Sequence, residues 1–319
     1  MPLVDMPLEQ LLKYEGTSPC PSDFDEFWDK SLLEMKAIDP KVELVPSWFQ
    51  TPYAECFDLY FTGVKGARIH AKYLRPRKST GQHPAIVQFH GYSGNAGGWN
   101  EKLSYVALGF SFAGLDCRGQ GGYSEDVGGV SGNTFRGHIV RGLEGPPEDM
   151  LMRNIFLDTA QLAGIVMSFE EVDENRVGAT GGSQGGGLTL ACASLEPRIK
   201  RLAYLYPFLT DYKRVWDMDL AIAAYDELKG HFRFYDPKHL REAEIFNKLG
   251  YIDVQNLTKR IRGEALMGTG LSDTVCPPST QFAAYNKITS KKDVRIYPDF
   301  GHEGLPEFDD EIFQFLSKL

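Results

Sequence analysis

The sequence is poor in features that would tie it to a membrane, a metal or a nucleic acid. Its five cysteines, Cys20, Cys56, Cys117, Cys192 and Cys276, are odd in number and show no C-x-x-C spacing, which excludes a disulfide framework and a zinc-ribbon pattern. No stretch of about 18 apolar residues is present, so a helical membrane span is not expected. The opening MPLVDMPLEQLLKYEG has no basic segment leading into an apolar one, so no secretory signal is read there. With the scattered thiols, this makes a cytoplasmic setting the expectation. Cationic surplus is missing too: 34 Lys and Arg against 43 Asp and Glu give a net charge of -9, which argues against partners held by phosphate attraction. There is no G-x-x-x-x-G-K-[ST], no G-x-G-x-x-G and no H-E-x-x-H, so neither a cofactor nor a metal is implied.

What remains is an ordinary globular composition, 42% hydrophobic and 24% charged over 319 residues, read as a single domain with embellishments. Ser22 followed by Phe24, Phe27, Trp28 and Leu32 predicts a capped amphipathic helix within an N-terminal extension over 1–40. Alternating apolar positions in 41–75 predict an antiparallel lead-in. From His83 onward six short apolar runs, 85–89, 110–115, 176–180, 202–206, 265–268 and 294–297, alternate with helical stretches, the pattern of a buried, doubly wound parallel sheet. Helices are expected over 149–170, 184–195, 277–287 and 306–318. Residues 117–148, with nine glycines, predict a long loop serving a site rim or an interface, and about 210–258 a helical, cap-like insertion.

One pentapeptide carries chemistry. Gly181-Gly182-Ser183-Gln184-Gly185 follows the strand RVGAT and opens a helix, the context of a G-x-S-x-G nucleophile elbow. A serine hydroxyl needs a base, and the base a carboxylate. His302 follows the last strand, and Asp273 the one before it, giving the chain order Ser183, Asp273, His302 of the α/β-hydrolase fold. Asp299 is the rival carboxylate. The remaining histidines, His70, His83, His138, His231 and His239, are read as structural or solvated, and His90 as a loop-fixing residue. The oxyanion donors expected from this arrangement are the backbone N–H groups of Gln184 and of Tyr92 in His90-Gly91-Tyr92-Ser93-Gly94. Tyr206 and Pro207 are candidate walls for the acyl group.

Arg118-Gly119-Gln120-Gly121, the Gly-x-Ser-Gln-Gly elbow and the His302-Glu303 pair, together with HGYSG, DTVCPPSTQFAAYN and VRIYPDFGHEG, resemble the acetyl xylan esterases and cephalosporin C deacetylases of carbohydrate esterase family 7. The resemblance implies a serine esterase acting on acetylated sugars, xylo-oligosaccharides and cephalosporin C. It also implies a ring-like hexamer, a dimer of trimers, whose active sites face an internal cavity. By the same resemblance Ser183, Asp273 and His302 form the triad and the Tyr92 and Gln184 amides the oxyanion hole. Arg118 and Gln120 belong to a signature motif read as structural, a guanidinium tying loops together near the site. Two other readings stand beside it, a broader short-chain carboxylesterase and a non-catalytic binding protein on the hydrolase fold.

Overall fold

The structure, a computed structural model, describes residues 4–127 and 137–319. Two helices come first, α1 (Leu8–Leu11) and α2 (Phe24–Lys36). In α2 the predicted stripe holds, with Phe24, Phe27 and Trp28 buried, but Ser22 is not its cap. Phe24 N donates to Pro21 O at 3.1 Å, so a tight turn already occupies Ser22, and Asp23 is the residue from which the helix starts.

The alternation in 41–75 becomes β1 (Glu43–Pro46), β2 (Ala54–Thr62) and β3 (Arg68–Pro76), paired antiparallel. Register places Leu59 opposite Ala71 and Phe61 opposite Ile69, so odd-numbered side chains share the larger core while Ala54, Cys56 and Leu74 face the smaller one. The lead-in joins a parallel block built from β4 (His83–Phe89), α3 (Leu103–Ala107), β5 (Ser111–Leu115), α4 (Leu151–Ser168), β6 (Val172–Gly182), α5 (Gln184–Leu195) and β7 (Arg201–Leu205). After β7 come α6 (Tyr212–Asp217), α7 (Asp226–Tyr235), α8 (Glu242–Leu249) and α9 (Val254–Leu257). The chain then returns through β8 (Glu264–Gly270), α10 (Pro278–Asn286), β9 (Lys292–Tyr297) and α11 (Phe308–Leu316). Nine strands run in the order β1-β2-β3-β5-β4-β6-β7-β8-β9, parallel from β5 onward, with helices on both faces: the α/β-hydrolase fold.

Two sequence expectations are corrected here. The run 294–297 is not a buried strand, because β9 is the sheet's edge and Val294 and Ile296 are only half-buried. Tyr206 is not in β7, which ends at Leu205; its φ of 28° turns the chain out of the sheet. Of the glycine-rich stretch 117–148, residues 128–136 lie outside the described residues.

Buried almost all round, α4 lies between the sheet and α2, whose Trp28 stacks on Phe156 with ring centroids 5.9 Å apart. Its one buried acid is paired with a cation. Asp158 receives Arg118 bidentately at 2.6 and 2.7 Å, both groups 1% exposed or less by side chain to within that figure, and Arg118 also donates to Val64 O. Arg118→Met, which strands the Asp158 carboxylate in the core, is expected to cost about 3–5 kcal/mol, read as a lower denaturant midpoint. An unchanged midpoint would show that the pair carries no net stability.

Candidate active site

The carboxyl ends of β4, β6, β8 and β9 converge on one point. Ser183, between β6 and α5, has φ 57° and ψ -121°, a conformation that L-residues rarely adopt and that aims its side chain out of the sheet. The elbow is held by its own backbone: Ser183 N donates to Leu205 O at 3.1 Å, and Ser183 O accepts from Phe208 N at 3.0 Å. Its glycines answer to close approach. A Cβ on Gly185 would sit 2.1 Å from Phe89 O, and one on Gly181 2.5 Å from Gly185 O.

His302 Nε2 lies 3.0 Å from Ser183 Oγ, and His302 Nδ1 2.8 Å from Asp273 Oδ2. A carboxylate only accepts, so Nδ1 carries the proton and Nε2 is left to accept the serine hydroxyl. Asp273 is fully buried; its Oδ1 accepts from Val275 N and Cys276 N at 2.8 Å each, and its Oδ2 from Gln281 Nε2 at 3.3 Å. The loops carrying Asp273 and His302 are tied by Ser272 N donating to Phe300 O at 2.9 Å. Asp299, the rival, is exposed.

Tyr206 packs its ring against the His302 imidazole, centroids 4.4 Å apart, while Pro207 lies over Gly186 at the start of α5. Gln184 opens α5 fully buried, its amide pair-bonded both ways with Gln120 at 2.9 Å. Gln120 Oε1 also accepts from Ser93 N at 2.9 Å. One side chain thus ties the elbow to the loop after β4, which agrees with reading Gln120 as structural. His90 does what its position suggests: Nδ1 donates to Gly91 O at 2.8 Å and Nε2 accepts from Cys117 N at 3.0 Å, with burial lowering its pKa so that the ring stays neutral.

The other histidines are accounted for away from the relay. His70 is buried between Asp116 and Asp58, and His83 bonds Ser111 and Ser79. His231 faces Glu144, and His239 lies in the α7–α8 connection beside Glu242. Burial lowers the pKa of His138 to about 4; its ring rests on that of Tyr92, centroids 4.7 Å apart.

Sequence reasoning missed two residues. Cys276 is fully buried beside Asp273 and His302, and burial holds its thiol well above the ordinary range. Its place three positions after Asp273 was the available signal. Glu227 of α7 reaches Tyr92, and nothing local in the sequence marks it. The donor atoms of Asp273, Cys276 and His302 lie within 4.8 Å of one another. Both Asp273 oxygens already accept N–H groups, Oδ1 from two backbone amides and Oδ2 from Gln281 and His302.

The acetyl xylan esterase (AXE1) family profile matches residues 1–319. Among solved structures, acetyl xylan esterase 1 from Thermoanaerobacterium sp. JW/SL YS485 is 62% identical, with 98% of this chain and 99% of that one covered at a TM-score of 0.97. The acetyl xylan esterase from Paenibacillus sp. R4 is 36% identical over the same shares, 98% and 99%, with a TM-score of 0.92. Acetyl esterase Axe7A of Xylanibacter ruminicola is 26% identical over 286 residues, 87% of this chain, and the chain spans 62% of the length of that curated relative.

Proposed function

The chain belongs to the acetyl xylan esterase family, and from that premise we propose that it is a serine esterase releasing acetate from acetylated xylo-oligosaccharides and small sugars through an acetyl-enzyme. The observation that carries this reading is the continuous relay from Asp273 through His302 to Ser183, at 2.8 and 3.0 Å, beside an elbow strained to present the hydroxyl. His302 takes the Ser183 proton as Oγ attacks the acetyl carbonyl, and Asp273 stabilises the imidazolium that forms. The backbone N–H groups of Tyr92 and Gln184 receive the oxyanion. His302 then gives that proton to the sugar ester oxygen as its bond to the acetyl carbon breaks, freeing the sugar hydroxyl, and a water deprotonated by the same ring attacks the acetyl-enzyme to release acetate and restore Ser183.

Tyr206 and Pro207 supply the acyl wall in this reading, and the helices between β7 and β8 act as a cap over the carboxyl edge within one domain. Cephalosporin C offers the same ester on its acetoxymethyl arm and belongs to the proposed substrates. The proposed assembly is a hexamer, a dimer of trimers, in the cytoplasm. Acetate release measured across acetylated mono- and oligosaccharides and cephalosporin C, with p-nitrophenyl acetate, butyrate and octanoate in parallel, tests the proposal. Turnover of acetylated sugars, with rates falling as the acyl chain lengthens, is the expected result. Octanoate cleaved as fast as acetate would replace it by a broad carboxylesterase, and no cleavage of any ester would leave a binding protein. Light scattering at the mass of one chain would remove the hexamer.

A further inference from the structure

Glu227 is a buried carboxyl with no cation against it among the described residues. Its two oxygens are used on one side by the loop after β4 and on the other by the segment that precedes α4. Oε1 accepts the Tyr92 hydroxyl at 2.6 Å; Oε2 accepts Ile139 N at 2.8 Å and Val140 N at 3.0 Å. A desolvated acid without an ion-pair partner is a poor stabilising element, since an apolar side chain of like volume would fill the space at lower cost. What this acid does that an apolar group cannot is join three chain segments at fixed distances, and one of them carries a proposed oxyanion donor.

We propose that Glu227 is a positioning residue for ester hydrolysis, fixing the Tyr92 backbone N–H in the oxyanion hole by holding the Tyr92 side chain to α7. The proposal rests on the reading of Ser183 as nucleophile and Tyr92 as oxyanion donor. Three surroundings of the Tyr92 ring support it. The hydroxyl end is fixed by Glu227, and the ring edges meet His138 at 4.7 Å and Phe208 at 5.7 Å. Phe208 in turn bonds the Ser183 carbonyl through its backbone N–H at 3.0 Å. Releasing the hydroxyl therefore removes the Glu227 anchor from a ring whose edges otherwise meet His138 and Phe208. An oxyanion donor displaced by a fraction of an ångström loses its worth in the transition state while leaving ground-state substrate contacts in place.

Burial pushes the Glu227 pKa up to about 7. Among the described residues the titratable groups facing it are Tyr92 and, from α6, Tyr212, whose own pKa burial raises well above the ordinary range; His138 stands on the other side of the Tyr92 ring. The protonated acid keeps the geometry, because its O–H donates to the Tyr92 oxygen while the second oxygen still accepts both amides. Glutamine has the same donor and acceptor pattern, so it is the conservative replacement.

The test compares kcat and KM for p-nitrophenyl acetate in the full chain carrying Tyr92→Phe, Glu227→Ala, Glu227→Gln and the Tyr92→Phe/Glu227→Ala pair, each checked for folding by its thermal transition. Glu227→Ala is expected to lower kcat by about 10- to 100-fold with KM within about twofold, Tyr92→Phe by about tenfold, and Glu227→Gln is expected to recover most of the loss. The pair should be no slower than Glu227→Ala alone, since both changes cut one link. A folded Glu227→Ala enzyme with wild-type kcat overturns the proposal, as do losses that multiply in the pair. If Glu227→Ala does not fold, Tyr92→Phe decides alone, and an unchanged kcat there is equally fatal. Ser183→Ala is run alongside: full activity in that variant removes the esterase reading and this inference with it, whereas an inactive Ser183→Ala beside a fully active Glu227→Ala removes only the inference.

Discussion

Ser183→Ala is expected to lower kcat for acetyl ester hydrolysis by about 10⁴-fold or more, with the thermal transition little changed. The size follows from the removal of the atom proposed to form the acyl bond. The intact fold follows from the elbow's dependence on backbone contacts, Ser183 N to Leu205 O and Phe208 N to Ser183 O, that an alanine retains. Steady-state kinetics with p-nitrophenyl acetate and mass spectrometry of the fluorophosphonate-treated chain check it together. Residual activity within tenfold of the wild type, or an adduct that survives the substitution, would assign the chemistry to another side chain.

Asp273→Asn should come close behind, with a loss of about 10⁴-fold at neutral pH. The direction can be worked out atom by atom. Oδ1 accepts two backbone N–H groups, so an asparagine amide nitrogen placed there would face two donors. It is driven instead to the Oδ2 side, where it donates to His302 Nδ1. That ring must then carry its proton on Nε2, the atom needed to receive the one from Ser183. The same substitution at exposed Asp299 is expected to leave kcat within about twofold. Comparison of the two variants by kcat decides between the carboxylates, and the reverse outcome would move the acid to Asp299.

How far the site could be read from sequence depended on how local its signals are. Ser183 stands directly after β6, and Asp273 and His302 lie in the loops that follow β8 and β9, strands whose apolar runs and glycine-bearing exits are visible in the sequence, so their order can be read from element boundaries. The Gln120–Gln184 amide pair joins positions 64 apart, and Glu227 meets Tyr92 across 135 positions; neither contact leaves a periodic trace near the residues that make it. Similar limits apply to the fold. The run 294–297 has the composition of an inner strand, and composition does not report that it pairs with β8 alone. Ser22 has the chemistry of a cap, but Pro21 already begins the turn that leads into α2. The antiparallel lead-in was readable because its alternation has period two and its breaks are proline and glycine.

The early part of the chain is fastened to much later parts. Asp5 accepts Ser279 N at 2.7 Å from 274 positions away, Thr17 N and Ser18 N end on Asp211, and Asn286 donates to the carbonyls of Leu11 and Tyr14. At ribosomal speeds, a separation of that length means roughly 15–55 s between the emergence of the first partner and the last. For part of that interval, until Phe156 and Tyr251 have emerged, the nascent polypeptide carries Trp28 and Phe27 without the rings that finally pack on them. Recombinant production should therefore respond to slower growth or added holdase chaperones more than the finished molecule's own robustness would suggest.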